Sequence, residues 1–137
     1  MKTYTNESLV SLANEARKNA YCPYSGIAVG AALVAESGEL FLGANAENAA
    51  FGPSICAERA AFAAALSAGH RKFSRIAVVG GKRDADPSQI FPPCGVCRQV
   101  MAEFCEKDFE ILLSDGKEIF KTTLEALFPH GFGAEHF

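Results

Sequence analysis

The sequence has no excess of positive charge: 13 Lys and Arg stand against 16 Asp and Glu, a formal net charge of −3. Without a broad positive field a long polyanion such as DNA or RNA is a poor partner. The one basic cluster, HRKFSR at residues 70–75, reads as a solvated loop. Long apolar runs are also missing. No segment approaches the roughly 20 residues that span a bilayer, and MKTYTNESLVSL turns polar where a secretory leader would be apolar. No membrane partner is expected, and the expected location is cytoplasmic. Repeats, low-complexity tracts and linkers are absent too, so residues 1–137 are expected to form a single domain. The stretch VVGGKRD lacks the glycine spacing of a phosphate loop and has no Ser or Thr after Lys82.

What the cysteines lack is equally informative. There are five, an odd number, which in a reducing compartment makes a poor disulfide framework. Cys94 and Cys97 have no second pair with which to form a four-cysteine ribbon. His70, His130 and His136 are scattered through loops and tail without ligand spacing, which favours solvated side chains over ligands.

Local patterns supply the frame. Thr5 is a candidate N-cap for a helix carrying Leu9, Leu12, Ala13 and Ala16, which Pro23 must stop. Residues 28–35 and 39–45 read as two strands joined by Glu36-Ser37-Gly38. CAERAAFAAALSA (56–68) predicts a buried helix ended by Gly69, and RIAVVG (75–80) a buried strand. A proline-containing connection leads to a helix over 96–105; FEILLSD and KEIFKT, parted by Asp115-Gly116, predict two more strands. Thr122-x-x-Glu125 offers a capping box for a last short helix, and PHGFGAEHF reads as irregular. The order α-β-β-α-β-α-β-β predicts an α/β fold, a three-layer α/β/α arrangement with a five-stranded mixed sheet.

Three cysteines sit at predicted helix starts: Cys56, and Cys94 with Cys97 after two prolines. Free N–H groups and the helix dipole there lower thiol pKa and favour thiolate. Such a set can serve two chemistries. Cys94-Gly-Val-Cys97 alone suits a cytosolic CxxC thiol oxidoreductase; three thiolates converging from two helices suit Zn²⁺, with the fourth position open as in catalytic sites. Glu58, two residues after Cys56, is the natural proton shuttle for a water at such a metal, against the plainer reading of a first-turn acid. Arg59 and Arg98, each beside one of these groups, are candidates to hydrogen-bond thiolate sulfur and offset its charge.

The pairing of CAE with PCGVC resembles the zinc-dependent cytidine deaminases of the small homotetrameric type. The likeness extends through YCPYSGIAVGAAL, GANAENAAFGPSICAERAA, PPCGVCRQVMAEF and LFPHGFG. It implies Cys56, Cys94 and Cys97 as zinc ligands, Glu58 as catalytic residue and Arg59 as the partner of the thiolates. It further implies Asn45 and Glu47 on the ribose, the Ala57 N–H on the pyrimidine, and Phe132 reaching the active site of a neighbour in a homotetramer with shared sites. The activity implied is deamination of cytidine and deoxycytidine to uridine and deoxyuridine, a step of pyrimidine salvage. Ile27 and Phe51 depart from the family's usual Phe and Tyr beside the substrate, and Pro92 from its Ser or Thr. They keep open a modified pyrimidine nucleoside or a related aminated heterocycle as substrate. Purified protein is expected to hold about one zinc per chain and to lose it in Cys56→Ala; metal-free protein with a titratable Cys94–Cys97 disulfide would instead favour the oxidoreductase.

Overall fold

Side-chain alternation along one strand sets both faces of the molecule. The computed structural model describes residues 3–137; Met1 and Lys2 of the N-terminal stretch lie outside them. Strand β1, Ile27–Ala35, pairs antiparallel on one side with β2, Leu40–Ala44, and on the other with β3, Phe73–Lys82. β3 runs parallel to β4, Glu110–Ser114, which pairs antiparallel with β5, Ile119–Thr123. The sheet order β2-β1-β3-β4-β5 is thus five-stranded and mixed, as the sequence pattern predicts.

Residues one apart on β1 and β3 enter different cores, as the pleat requires. Ala32, Val34, Ala77 and Val79 meet Leu9 and Ala13 of helix α1, Asn6–Ala16. Ala31, Leu33, Ile76 and Val78 meet Ala61, Phe62 and Ala65 of α2, Ala57–Ser67, with Met101 of α3, Gly95–Phe104. Helices therefore cover both faces, completing the three layers. Phe62 is almost wholly buried, a burial of order 2 kcal/mol. Among the described residues no helix is long and apolar enough to cross a membrane.

Two glycines set how closely these helices sit. A Cβ on Gly30 would lie 2.0 Å from the Ala13 carbonyl oxygen, so α1 rests directly on β1. A Cβ on Gly43 would lie 2.3 Å from the Ala57 carbonyl oxygen and 2.5 Å from the Ala61 nitrogen, so the first turn of α2 rests directly on β2. Buried Arg17, just past α1, adds a polar clasp. Its guanidinium donates to the carbonyls of Ala28, Lys82 and Ala85 and to Asn14 Oδ1 at 3.0–3.2 Å, tying α1 to the start of the loop that leads to Cys94.

Some boundaries differ from expectation. β3 is longer at both ends because Phe73 pairs with Ala35 and Lys82 with Ile27. The last helix, α4 (Leu124–Leu127), is capped by Thr123, whose hydroxyl accepts from the Ala126 N–H at 3.2 Å. Thr122 does not cap it, because the helix begins at Leu124 and the residue before it is Thr123. The tail contains a 3₁₀ turn, Ala134–His136, where no regular structure was expected.

Gly43→Ala should unfold at lower denaturant, by about 1–3 kcal/mol of overpacking, and should also weaken metal retention, since the displaced turn carries Glu58 beside Cys56. Gly30→Ala should cost stability with metal content unchanged. Denaturant titration and metal analysis of both variants check this.

Candidate active site

Helices α2 and α3 each start with a cysteine where a capping hydroxyl or carboxylate would be ordinary. Cys56 and Cys94 occupy the N-cap positions of α2 and α3 in extended backbone conformation, and neither side chain accepts a capping hydrogen bond from the backbone of its helix. The thiols are therefore left for something else. Cys97, one turn into α3, is buried behind them.

The three sulfurs meet. Cys56 Sγ lies 3.7 Å from Cys94 Sγ, which lies 3.5 Å from Cys97 Sγ, and all three fall within 4.8 Å of one another. Sulfurs bound to one tetrahedral zinc at about 2.3 Å sit about 3.8 Å apart. The donor set fits that ion: three soft ligands at near-tetrahedral separation, from two helix N-termini, with no fourth protein donor in the cluster among the described residues. All five cysteines are free thiols.

Charge is managed locally. The Arg59 guanidinium donates to Cys56 Sγ at 3.7 Å, while its buried Nε has no partner among the described residues. Hydrogen bonding from Cys97, then from Arg59 and Cys94, draws the Cys56 thiol down to about 5 against the opposing effect of burial. In the same pair hydrogen bonding with Cys56, then burial, pushes the Cys97 thiol upward. Glu58 is 4% exposed. Burial first, then the charge of Cys56, raises its carboxyl to about 7, with its own backbone N–H and Arg59 pulling the other way.

These groups face a cavity of about 380 Å³. Its walls include Asn45, Glu47, Phe51, Ala57, Glu58 and Cys94 among the residues singled out from sequence. As the first residue of α2, Ala57 has an N–H without an intrahelical acceptor. Asn45 is fixed by β1, accepting from the Val29 N–H at 2.8 Å and donating to the Ile27 carbonyl at 2.9 Å. Glu47 accepts from the N–H groups of Tyr24 and Ser25 at 3.0 and 3.1 Å and from the Ser25 hydroxyl. The Ser25 hydroxyl, opposed by slight desolvation and helped by the two N–H groups, holds the Glu47 carboxyl below its usual range.

Three residues lie elsewhere. Ile27, half-buried, does not line the cavity. Phe132 is 55% exposed and stacks on His136 of its own tail, ring centroids 5.0 Å apart. Arg98 is a correction: it donates to the carbonyls of Pro93, at 2.7 Å, and Leu127, not to sulfur. Successive helix residues point about 100° apart, so Arg98 turns away from the thiols that its neighbour Cys97 faces. Val29 and Phe91 line the cavity without having been singled out. Strand alternation from Ala31 and Leu33 carried the signal for Val29; nothing local carried it for Phe91.

The chain matches the family described as the cytidine and deoxycytidylate deaminase zinc-binding region over residues 3–113. It is 45% identical over 130 residues to cytidine deaminases of Sporosarcina psychrophila and Halalkalibacterium halodurans. These alignments cover 94% of this chain and 92% and 95% of those proteins. The crystal structure of cytidine deaminase from Burkholderia pseudomallei superposes with a TM-score of 0.86 at 42% identity, covering 94% of this chain and all of that one.

Arg98→Met removes two hydrogen bonds from a charged donor and should destabilise the protein by about 2–4 kcal/mol, loosening α4 while zinc stoichiometry is unchanged. Thermal unfolding with metal analysis tests this; loss of zinc without loss of stability would return Arg98 to the thiols.

Proposed function

The chain belongs to the cytidine and deoxycytidylate deaminase family, and from that premise we propose that it hydrolyses cytidine and deoxycytidine to uridine and deoxyuridine with release of ammonia. The observation that carries this reading is the meeting of three thiols and buried Glu58 at one cavity. A dithiol oxidoreductase has no use for the third sulfur or for the carboxyl.

Cys56, Cys94 and Cys97 would hold Zn²⁺, which would supply an acidified water, its pKa lowered to about 7. Glu58 would accept a proton from that water and give it to ring N3, and would then carry the remaining proton of the hydroxyl added at C4 to the amino group, so that the C–N bond breaks as the C4 carbonyl forms and ammonia leaves. Its burial keeps these protons out of exchange with bulk water during transfer. The Ala57 N–H donates to the ring, and Arg59 draws charge from the Cys56 sulfur. Asn45 and Glu47 hold the ribose hydroxyls; each is already oriented by backbone partners, so little freedom remains to be lost on binding.

A nucleoside suits the cavity better than a nucleotide. Among the described residues Arg59 is the one cation on its walls, and it is engaged by sulfur, while the Glu47 carboxylate would repel a phosphate. The assembly we favour is a cytoplasmic homotetramer serving pyrimidine salvage. Phe51 on the cavity wall, edge-on to Tyr24, is 69% exposed, and Phe132 on the tail is 55% exposed, two aromatic surfaces that a neighbouring subunit would cover.

Glu58→Gln should lower turnover of cytidine by about 10²–10⁴-fold with fold and zinc content intact. Undiminished ammonia release by that variant would sink the mechanism. Turnover of oligonucleotides in place of nucleosides would sink the substrate.

A further inference from the structure

Phe91 is held in the cavity by two independent constraints. The first is a slot. A Cβ on Gly80 would lie 2.6, 2.9 and 3.0 Å from Cγ, Cδ2 and Cδ1 of Phe91, so the root of the ring rests on bare backbone. Gly80 is buried in β3 directly opposite Val29, and partners in such a pair share one face of the sheet; Val29 lines the cavity beside Phe91. The second constraint is the link Pro92-Pro93, two residues of fixed φ that join Phe91 to Cys94.

A pyrimidine ring has a polar edge and two faces that form no hydrogen bonds. The start of α2 can serve the edge. The faces need apolar surface, and an aromatic ring supplies it with favourable stacking geometry. The cavity offers two such rings. Phe51 is largely exposed at its wall, whereas Phe91 is half-buried and fixed from behind. Ile27, expected from sequence to lie beside the base, does not reach the cavity wall.

We propose that Phe91, seated against Gly80, is the ring on which the substrate base stacks, and that the Gly80–Phe91 pair sets affinity for the heterocycle. The proposal rests on the deaminase reading above and adds to it a positioning residue. Gly80 is glycine because of Phe91: the three atoms nearest to its absent Cβ all belong to that ring. Nothing in this assignment alters the thiols or Glu58. Phe91 acts by holding the base, so its loss appears in KM.

The test is steady-state deamination of cytidine by zinc-loaded wild type, Phe91→Ala, Phe91→Leu, Phe91→Tyr, Gly80→Ala and the double variant Gly80→Ala/Phe91→Ala. Phe91→Ala and Phe91→Leu should raise KM about tenfold, the scale of one lost base–aromatic stack, with kcat and zinc content little changed. Phe91→Tyr, which keeps the ring, should stay near wild type. Gly80→Ala alone should raise KM by unseating the ring. The same change should cost nothing further once Phe91 is alanine, a non-additivity that marks direct contact. Unchanged KM in Phe91→Ala would overturn the proposal, as would independent effects of the two sites. A fall in kcat and zinc content at constant KM would also overturn it, leaving the ring a brace for Cys94. In each of those cases wild type still deaminates cytidine; a zinc-loaded wild type inert toward every pyrimidine nucleoside overturns the deaminase reading itself, and this proposal with it.

Discussion

The backbone contact between α2 and β2 at Gly43 is the constraint from which the site is laid out. A Cβ there would fall within 2.5 Å of two backbone atoms of α2, so helix and strand touch with no side chain between them. The residue whose carbonyl meets Gly43 is Ala57, flanked by Cys56 and Glu58. Fixing that turn fixes a thiol, a helix N–H and a carboxyl together. The alanines of α2 and β1 serve the same end, since small side chains let a helix lie close to a sheet at full packing density. On the other face Gly30 does likewise for α1, which carries no chemistry and braces the sheet.

Charge imposes the second condition. Three thiolates around a divalent ion leave one net negative charge, and a buried carboxylate beside them would add another. The fold answers with partial positive charge at two helix starts and with Arg59, which reaches sulfur from the same first turn. Glu58 is accordingly poised by burial, not by a partner cation. A carboxyl paired to arginine would stay ionised and return protons poorly, whereas one held in an apolar, closed place can both accept and release them.

The frame was legible in sequence because it depends on local pattern. Alternation in AVGAALVA, the alanine-rich run after Cys56 and the Asp-Gly turn each specify an element without distant help. The thiols and Glu58 were legible for a related reason: each lies in the first turn of such a helix, where position along the chain fixes direction in space. Errors arose where adjacent positions compete or where distant segments meet. Thr122 and Thr123 are equally good caps in isolation, and the start of α4 at Leu124 decides between them. Arg98 was placed by its sequence neighbour, although helix geometry turns neighbouring side chains apart. Ile27 and Phe91 are the harder case. Which of them faces the cavity depends on a proline-containing loop folding back onto a glycine eleven residues earlier in β3, and no periodicity encodes that return.

Chemistry and selectivity consequently rest on different supports. Cys56, Glu58 and Arg59 ride on α2 and are referenced to Gly43; Asn45 is locked by the backbone of β1; Phe91 is referenced to Gly80 and to the Pro92-Pro93 link. A change at Phe91 therefore need not move Glu58, because the backbone contact that seats α2 is at Gly43 and the one that seats Phe91 is at Gly80. Cys94 is where the supports meet, at once the end of the proline link and one corner of the sulfur triangle. Zinc bound there would stiffen the loop that carries Phe91, since a ligand that binds only the folded arrangement stabilises it. The metal would then steady the Phe91 side of the cavity as well as supply the water.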